Sequence, residues 1–97
     1  MFSTDKPNKI WLLDITYIAT NEGWLYLSTI LDLYSRRIVG LSMDKDMTTS
    51  LVINSLNQAI IHRQPKSGLI LHSDRGCQYT SYEYKKFADT NGFVISM

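Results

Sequence analysis

The sequence predicts an α/β fold on a mixed sheet, with elements in the order β-β-β-α-β-α-β. Apolar and branched runs split by short polar turns fill the first half of the chain. The apolar period then lengthens to that of a helix, and strand-like and helical stretches alternate from there on. Strands joined by short turns pair antiparallel, whereas strand–helix–strand links within one sheet run parallel and cross over right-handedly, so both pairings must meet in one sheet.

Residues 1–9 are polar, contain Pro7-Asn8 and read as a lead-in segment; residues 10–97 read as one domain. The first strand is expected over 10–18. Asn21-Glu22-Gly23 forms a turn into the second, over 24–32. Tyr34-Ser35 turn the chain into the third, over 37–43. Val52, Leu56, Ala59 and Ile60 then recur at helical spacing, with Thr48 or Thr49 as N-cap and Pro65 and Gly68 closing the helix. Residues 68–73 form a fourth strand, whose nearly continuous apolar run suits a sheet covered on both faces. Thr80-Ser81-Tyr82-Glu83 reads as a capping box with Thr80 as N-cap and Glu83 at the third helical position. Tyr84, Phe87 and Ala88 give that helix its inner face, Asn91-Gly92 end it, and residues 93–96 form a fifth strand.

Composition bounds the function. Ten basic against nine acidic residues leave a net charge of +1, too little for a general attraction to nucleic acid or an anionic membrane. DNA contacts would have to come from local groups: Arg36-Arg37, Lys85-Lys86, and Arg63 with Lys66 and Arg75. The single cysteine, Cys77, excludes an internal disulfide and a cysteine-based zinc site. The start has no apolar signal-peptide core, and no apolar run approaches the ~18 residues that span a bilayer. A soluble, cytoplasmic protein without membrane partners is expected.

Two aspartates stand where charge is costly. Asp14 interrupts the run Trp11-Leu12-Leu13-Asp14-Ile15-Thr16-Tyr17-Ile18, and Asp74 follows Leu69-Ile70-Leu71 and opens onto Arg75-Gly76. Aspartate is depleted in strands, and a carboxylate there is normally held by a cation, a hydrogen-bond network or a metal. If the fourth strand lies beside the first, the two come together as ligands for a shared Mg²⁺, a hard cation that binds through one or two carboxylates plus phosphate oxygens. Taken singly, Asp14 also reads as a solvent-facing edge-strand residue and Asp74 as a turn residue. Asp32 reads as a turn residue or surface ion pair beside Arg36-Arg37, and His72 as a packing residue at a strand end. His62 sits at a helix end. Gln78 and Tyr79 read as loop residues able to touch DNA sugar or phosphate, and Trp11 and Trp24 as core or sheet-face residues.

The stretches Trp11-Leu12-Leu13-Asp14-Ile15-Thr16-Tyr17, Leu31-Asp32-Leu33-Tyr34-Ser35-Arg36-Arg37-Ile38-Val39-Gly40 and His72-Ser73-Asp74-Arg75-Gly76-Cys77-Gln78-Tyr79-Thr80-Ser81 resemble bacterial insertion-sequence transposases of the DDE type, with a retroviral-integrase-like catalytic core. The resemblance runs from about Trp11 to Met97. It implies a ribonuclease H-like fold, incomplete at the C-terminus, and a metal triad of two aspartates and a glutamate. With Mg²⁺ or Mn²⁺ this triad nicks transposon ends and joins them to target DNA. Asp14 matches the first catalytic and metal-binding aspartate and Asp74 the second. The glutamate lies beyond Met97 by the family's spacing, and neither Glu22 nor Glu83 stands in its motif. The expectation is therefore a DNA-transposition core that is inactive as this fragment, holds metal weakly, and partners DNA, copies of itself or other transposase subunits. The alternative is a non-catalytic remnant acting only as a folded or interacting fragment. A nuclease cutting RNA in hybrids is disfavoured by the His72–Ser81 stretch.

Overall fold

A computed structural model describes residues 4–97, so the first three residues of the expected lead-in lie outside the described range. The elements are β1 (Ile10–Thr20), β2 (Gly23–Asp32), β3 (Arg37–Asp44), α1 (Thr49–Arg63), β4 (Ile70–His72), α2 (Tyr82–Thr90) and β5 (Val94–Ser96). They build one five-stranded sheet in the order β3-β2-β1-β4-β5. β1, β2 and β3 pair antiparallel, while β1–β4 and β4–β5 pair parallel. The predicted element order and mixed sheet are both present. β1 is the central strand, which removes the edge-strand reading of Asp14.

Two right-handed crossovers stepping in the same direction place both helices on one face of the sheet. Side chains alternate between faces along a strand. Trp11 and Leu13 of β1, Ile30 of β2 and Val39 of β3 are buried in a single core with Val52, Leu56 and Ala59 of α1 and with Tyr84 and Ala88 of α2. The intervening residues Leu12, Asp14 and Thr16 face the opposite side. There Ile38, Leu41, Met43 and Val94 are exposed and Leu25, Leu27 and Leu31 are half-buried. Among the described residues no element covers this second face, contrary to the covering on both faces expected from the apolar run before Asp74. Leu69 and Leu71 are buried while Ile70 and His72, the alternate positions, are half-buried, and only 70–72 pair as a strand.

Gly40 explains how closely α1 lies on β3. A Cβ there would strike the Ser55 carbonyl oxygen and stand 2.9 Å from the Ala59 Cβ. Beside this contact, Ser55 Oγ donates to the Val52 carbonyl at 2.7 Å, so it is Ser28 that donates across the 2.8 Å contact between the two buried serine hydroxyls. Thr48 caps α1 by accepting from the Leu51 N–H. The N-cap of α2 is Ser81, one residue later than expected. Its Oγ accepts from the Tyr84 N–H at 3.3 Å, while Thr80 Oγ1 donates back to the Cys77 carbonyl. Glu83 therefore occupies the second helical position and closes no capping box.

Asp32 holds a turn as expected, but its surface placement is corrected. It is fully buried rather than superficial, accepting from the Asn8 N–H at 3.2 Å, the Tyr34 N–H at 3.4 Å and Ser35 Oγ at 3.0 Å. Arg63, in the last turn of α1, lies 3.8 Å from its second oxygen. The carboxylate thus ties the lead-in, the β2–β3 turn and the end of α1 together. It also draws Arg63 away from the basic group expected with Lys66 and Arg75.

Candidate functional site

The parallel β1–β4 ladder positions the site. Ile10, Trp11 and Leu12 stand level with Ile70, Leu71 and His72. Two residues beyond Leu12 comes Asp14, and two beyond His72 comes Asp74. Asp14 thus follows the ladder by two residues within β1, and Asp74 follows it by two residues in the loop after β4. β1 continues past Asp14, pairing with β2 so that Asp14 faces Thr29, whereas β4 has already ended and released Asp74 into a loop.

That loop is tightly organised. Asp74 Oδ1 accepts from the Gly76 N–H at 2.8 Å, and the Tyr79 N–H closes the turn onto the Gly76 carbonyl at 2.9 Å. A Cβ at position 76 would lie 3.1 Å from Asp74 Oδ1, 3.3 Å from Gln78 Oε1 and 3.7 Å from the Tyr79 ring, so glycine lets the carboxylate fold back over its own loop. The buried Ser73 anchors the base of the loop, with its N–H on the Ser96 carbonyl at 3.1 Å and its Oγ on the Asp74 carbonyl at 2.8 Å. Gln78 Nε2 reaches the Met47 carbonyl at 3.2 Å, bracing the loop against the segment that leads into α1.

Both carboxylates are solvent-facing. Asp14 makes no hydrogen bond or ion pair among the described residues, and Asp74 uses one oxygen on Gly76. Neither forms an ion pair with a protein cation among the described residues. Two hard oxygen donors, one within β1 and one in the loop after the neighbouring β4, suit a divalent cation that completes its shell with water and phosphate oxygens. A closed all-protein cage is a different arrangement: no group of three or more His, Cys, Asp or Glu side chains able to hold a metal occurs among the described residues. His72, half-buried one register step below, places Nδ1 3.0 Å from Ser96 Oγ, as suits a strand-end histidine.

Tyr79 was expected at the surface but belongs to the core, only 2% exposed and edge-to-face with Tyr84 at 5.6 Å between ring centres. Burial pushes its phenol above the ordinary range, and the charges of Asp14 and then Asp74 push it the same way. An aromatic in a polar, glycine-containing loop was the available signal, but nothing local says that the turn folds its ring inward. Of the remaining expected residues, Trp11 is buried, Trp24 is exposed beside Tyr17 at the hairpin tip, and His62 is exposed at the end of α1. Arg36, Arg37, Lys85, Lys86 and Arg75 are exposed.

A mixed five-stranded sheet in the order β3-β2-β1-β4-β5, with both helices on one face, is a ribonuclease H-like core. The chain belongs to the integrase core domain family, whose model matches residues 4–97. It is 48% identical over 97 residues to the transposase for insertion sequence element IS904 of Lactococcus lactis, covering all of this chain and 38% of that protein. It is 44% identical over 96 residues to the insertion element IS600 uncharacterized 31 kDa protein of Shigella sonnei, covering 99% of this chain and 35% of that protein. The chain thus spans little more than a third of these relatives. Among solved structures it is similar to the HTLV-2 integrase catalytic core domain in complex with magnesium, with a TM-score of 0.84 and 25% identity over 94% of this chain and 60% of the other. It is also similar to a chain of the simian T-cell lymphotropic virus intasome, with a TM-score of 0.83 and 28% identity over 93% of this chain and 31% of the other. No helix among the described residues is long and apolar enough to cross a membrane.

Proposed function

We propose that this chain is the part of a DNA transposase or integrase core that presents two of its metal-binding carboxylates, Asp14 and Asp74, to a DNA phosphodiester. The observation that carries the reading is the parallel β1–β4 register, which ends two residues before each aspartate, and it is supported by the lack of an ion pair to either carboxylate among the described residues. Family membership supports DNA transposition or integration as the process, and the magnesium named for the HTLV-2 core domain supports the choice of metal.

Asp14, with both oxygens unshared, and the second oxygen of Asp74 would hold Mg²⁺ or Mn²⁺. When bound, such an ion supplies Lewis-acid polarisation of a phosphoryl oxygen and a lowered pKa for water. The Gly76 N–H fixes the rotation of the Asp74 carboxylate, and the paired backbone of β1 fixes the direction of Asp14. With no third ligand beside them among the described residues, the pair is expected to bind weakly and the 97-residue chain not to join DNA ends. That same observation favours the second reading, a folded fragment that acts only by interaction.

Mn²⁺ binding to the chain, followed by electron paramagnetic resonance of the free ion, tests the site: binding is expected and should be lost in both Asp14→Asn and Asp74→Asn. Unchanged binding in either variant would remove that residue from the site. A strand-transfer assay run alongside should be blank, and robust joining abolished by Asp14→Asn would overturn the expectation of inactivity.

A further inference from the structure

We propose that the end of the sheet where β1 begins, away from the Asp14–Asp74 pair, is a second DNA contact that holds duplex phosphates with Lys6, Arg36, Arg37 and Lys66. The choice of DNA rests on the reading above, while the surface itself is independent of the metal site. β1 and β3 rise from Ile10 and Arg37, and β2 descends to Asp32 between them. Arg63 reaches Asp32, and the Ile70 N–H bonds to the Lys9 carbonyl, so residues 5–9, 32–37 and 63–68 gather at this end. These segments hold six basic against two acidic residues. Asp5 is taken by Lys9 at 3.9 Å and Asp32 by Arg63 at 3.8 Å. Lys6, Arg36, Arg37 and Lys66 are exposed and make no ion pair among the described residues. The β1–β2 turn, the end of β3 and the two candidate carboxylates instead bring Glu22, Asp44, Asp46, Asp14 and Asp74 against Lys45 and Arg75. A net charge of +1 therefore conceals one basic and one acidic region.

The basic end is also held in shape. Asn8, Arg36 and Gln64, with φ of 57°, 62° and 46°, are the non-glycine residues with left-handed backbone among the described residues, and all three lie here. Such conformations persist where the surroundings hold them, and they cluster at functional sites. Asp32 supplies the hold. Its carboxylate accepts the Asn8 N–H at 3.2 Å, its carbonyl accepts the Arg36 N–H at 2.8 Å, and it pairs with Arg63, next to Gln64. Lys6 and Lys66 line one groove with Pro7, Asn8, Gln64 and Pro65. The buried carboxylate thus fixes the backbone that carries the four cations.

A duplex presents about one negative charge per 1.7 Å, and guanidinium forks match phosphate oxygens. Phosphate contacts orient DNA without reading its sequence. The other complementary surface is the acidic region of a second copy. That region includes Asp14 and Asp74, which the reading above assigns to metal.

The experiment is fluorescence anisotropy of a labelled DNA duplex titrated with the full chain in metal-free buffer at several salt concentrations. Sedimentation velocity without DNA runs alongside. Binding is expected, weakening as salt rises. Arg36→Asn with Arg37→Gln, and separately Lys6→Gln with Lys66→Gln, should each weaken binding on the order of 10-fold and lower the slope of log affinity against log salt by about 2. Asparagine suits the left-handed backbone at position 36, so melting midpoints should hold. Lys85→Gln with Lys86→Gln removes the same charge from exposed positions on α2 and should leave affinity nearly unchanged. Equal weakening by all three pairs would overturn the proposal, as would failure of the unmodified chain to bind the duplex. Self-association lost in the basic-end variants with duplex binding intact would overturn it in favour of a second copy. Mn²⁺ binding is read separately. Its absence beside duplex binding that depends on the basic end removes the metal reading and supports this proposal, whereas its presence without duplex binding removes this proposal alone.

Discussion

Asp14, Asp32 and Asp74 all stand in or beside strands, and their surroundings sort them. Asp32 spends both oxygens inside the protein, on Asn8, Tyr34, Ser35 and Arg63, and serves the fold. Asp14 and Asp74 keep oxygens free and face outward, which is the condition for binding something else. Spacing could not make this distinction, because the groups that neutralise Asp32 come from residues on both sides of it and as far away as Arg63. The buried tyrosines carry a consequence for pH. Burial raises both phenols, and at Tyr79 the two aspartates add to it. In the unfolded chain a phenol ionises near its ordinary pKa of about 10, while the folded chain holds the proton longer. This stabilisation is therefore complete below about pH 10 and is lost as pH rises above it, since the unfolded state is then favoured by ionisation. Urea midpoints measured across this range should fall on the alkaline side, and Tyr84→Phe should shallow the fall. An identical alkaline slope in the variant would count against the sign argued here.

At the scale of elements, the strands and helices follow the sequence closely and their ends less so. The second helix begins after Ser81 rather than Thr80, although both carry a hydroxyl suited to a cap. The choice lies with the preceding turn: the Tyr79 N–H bonds to Gly76, leaving Thr80 Oγ1 to donate to Cys77, while Ser81 Oγ donates to the Gln78 carbonyl at 2.9 Å. Ser81 also accepts from Thr49 Oγ1 at 3.1 Å, which joins the starts of the two helices. Ser81→Ala should therefore cost about 1–2 kcal/mol, at the upper end for a lost cap. Thr80→Ala, with an exposed side chain, should stay within about 0.5 kcal/mol. Chemical denaturation of the two variants distinguishes them, and equal losses would contradict the assignment. The short β4 has a similar origin: its apolar run was legible, but its pairing ends at His72, where Asp74 turns into its loop.

For the molecule as a whole, the two faces of the sheet are unequal. One packs against both helices, and the other carries, along β3, Ile38 at 60% and Met43 at 58% exposure with Leu41 between them. A contiguous apolar surface of this kind favours association. Sedimentation velocity is expected to show concentration-dependent self-association of the chain, and Leu41→Lys together with Met43→Lys should shift it toward monomer. A single monomeric species at every concentration would refute this.

The sequence by itself determined the element order, the mixed sheet and the two aspartates worth pursuing, because hydrophobic period, turn residues and a charge within an apolar run are all local signals. Only the tertiary structure decided that β1 is central, that Asp32 is buried and that Tyr79 packs its ring into the core. Those facts depend on strand order and on partners distant in the chain. The pairing of Ile10 with Ile70 carries Asp14 and Asp74 to the same end of the sheet across a separation that no local pattern spans.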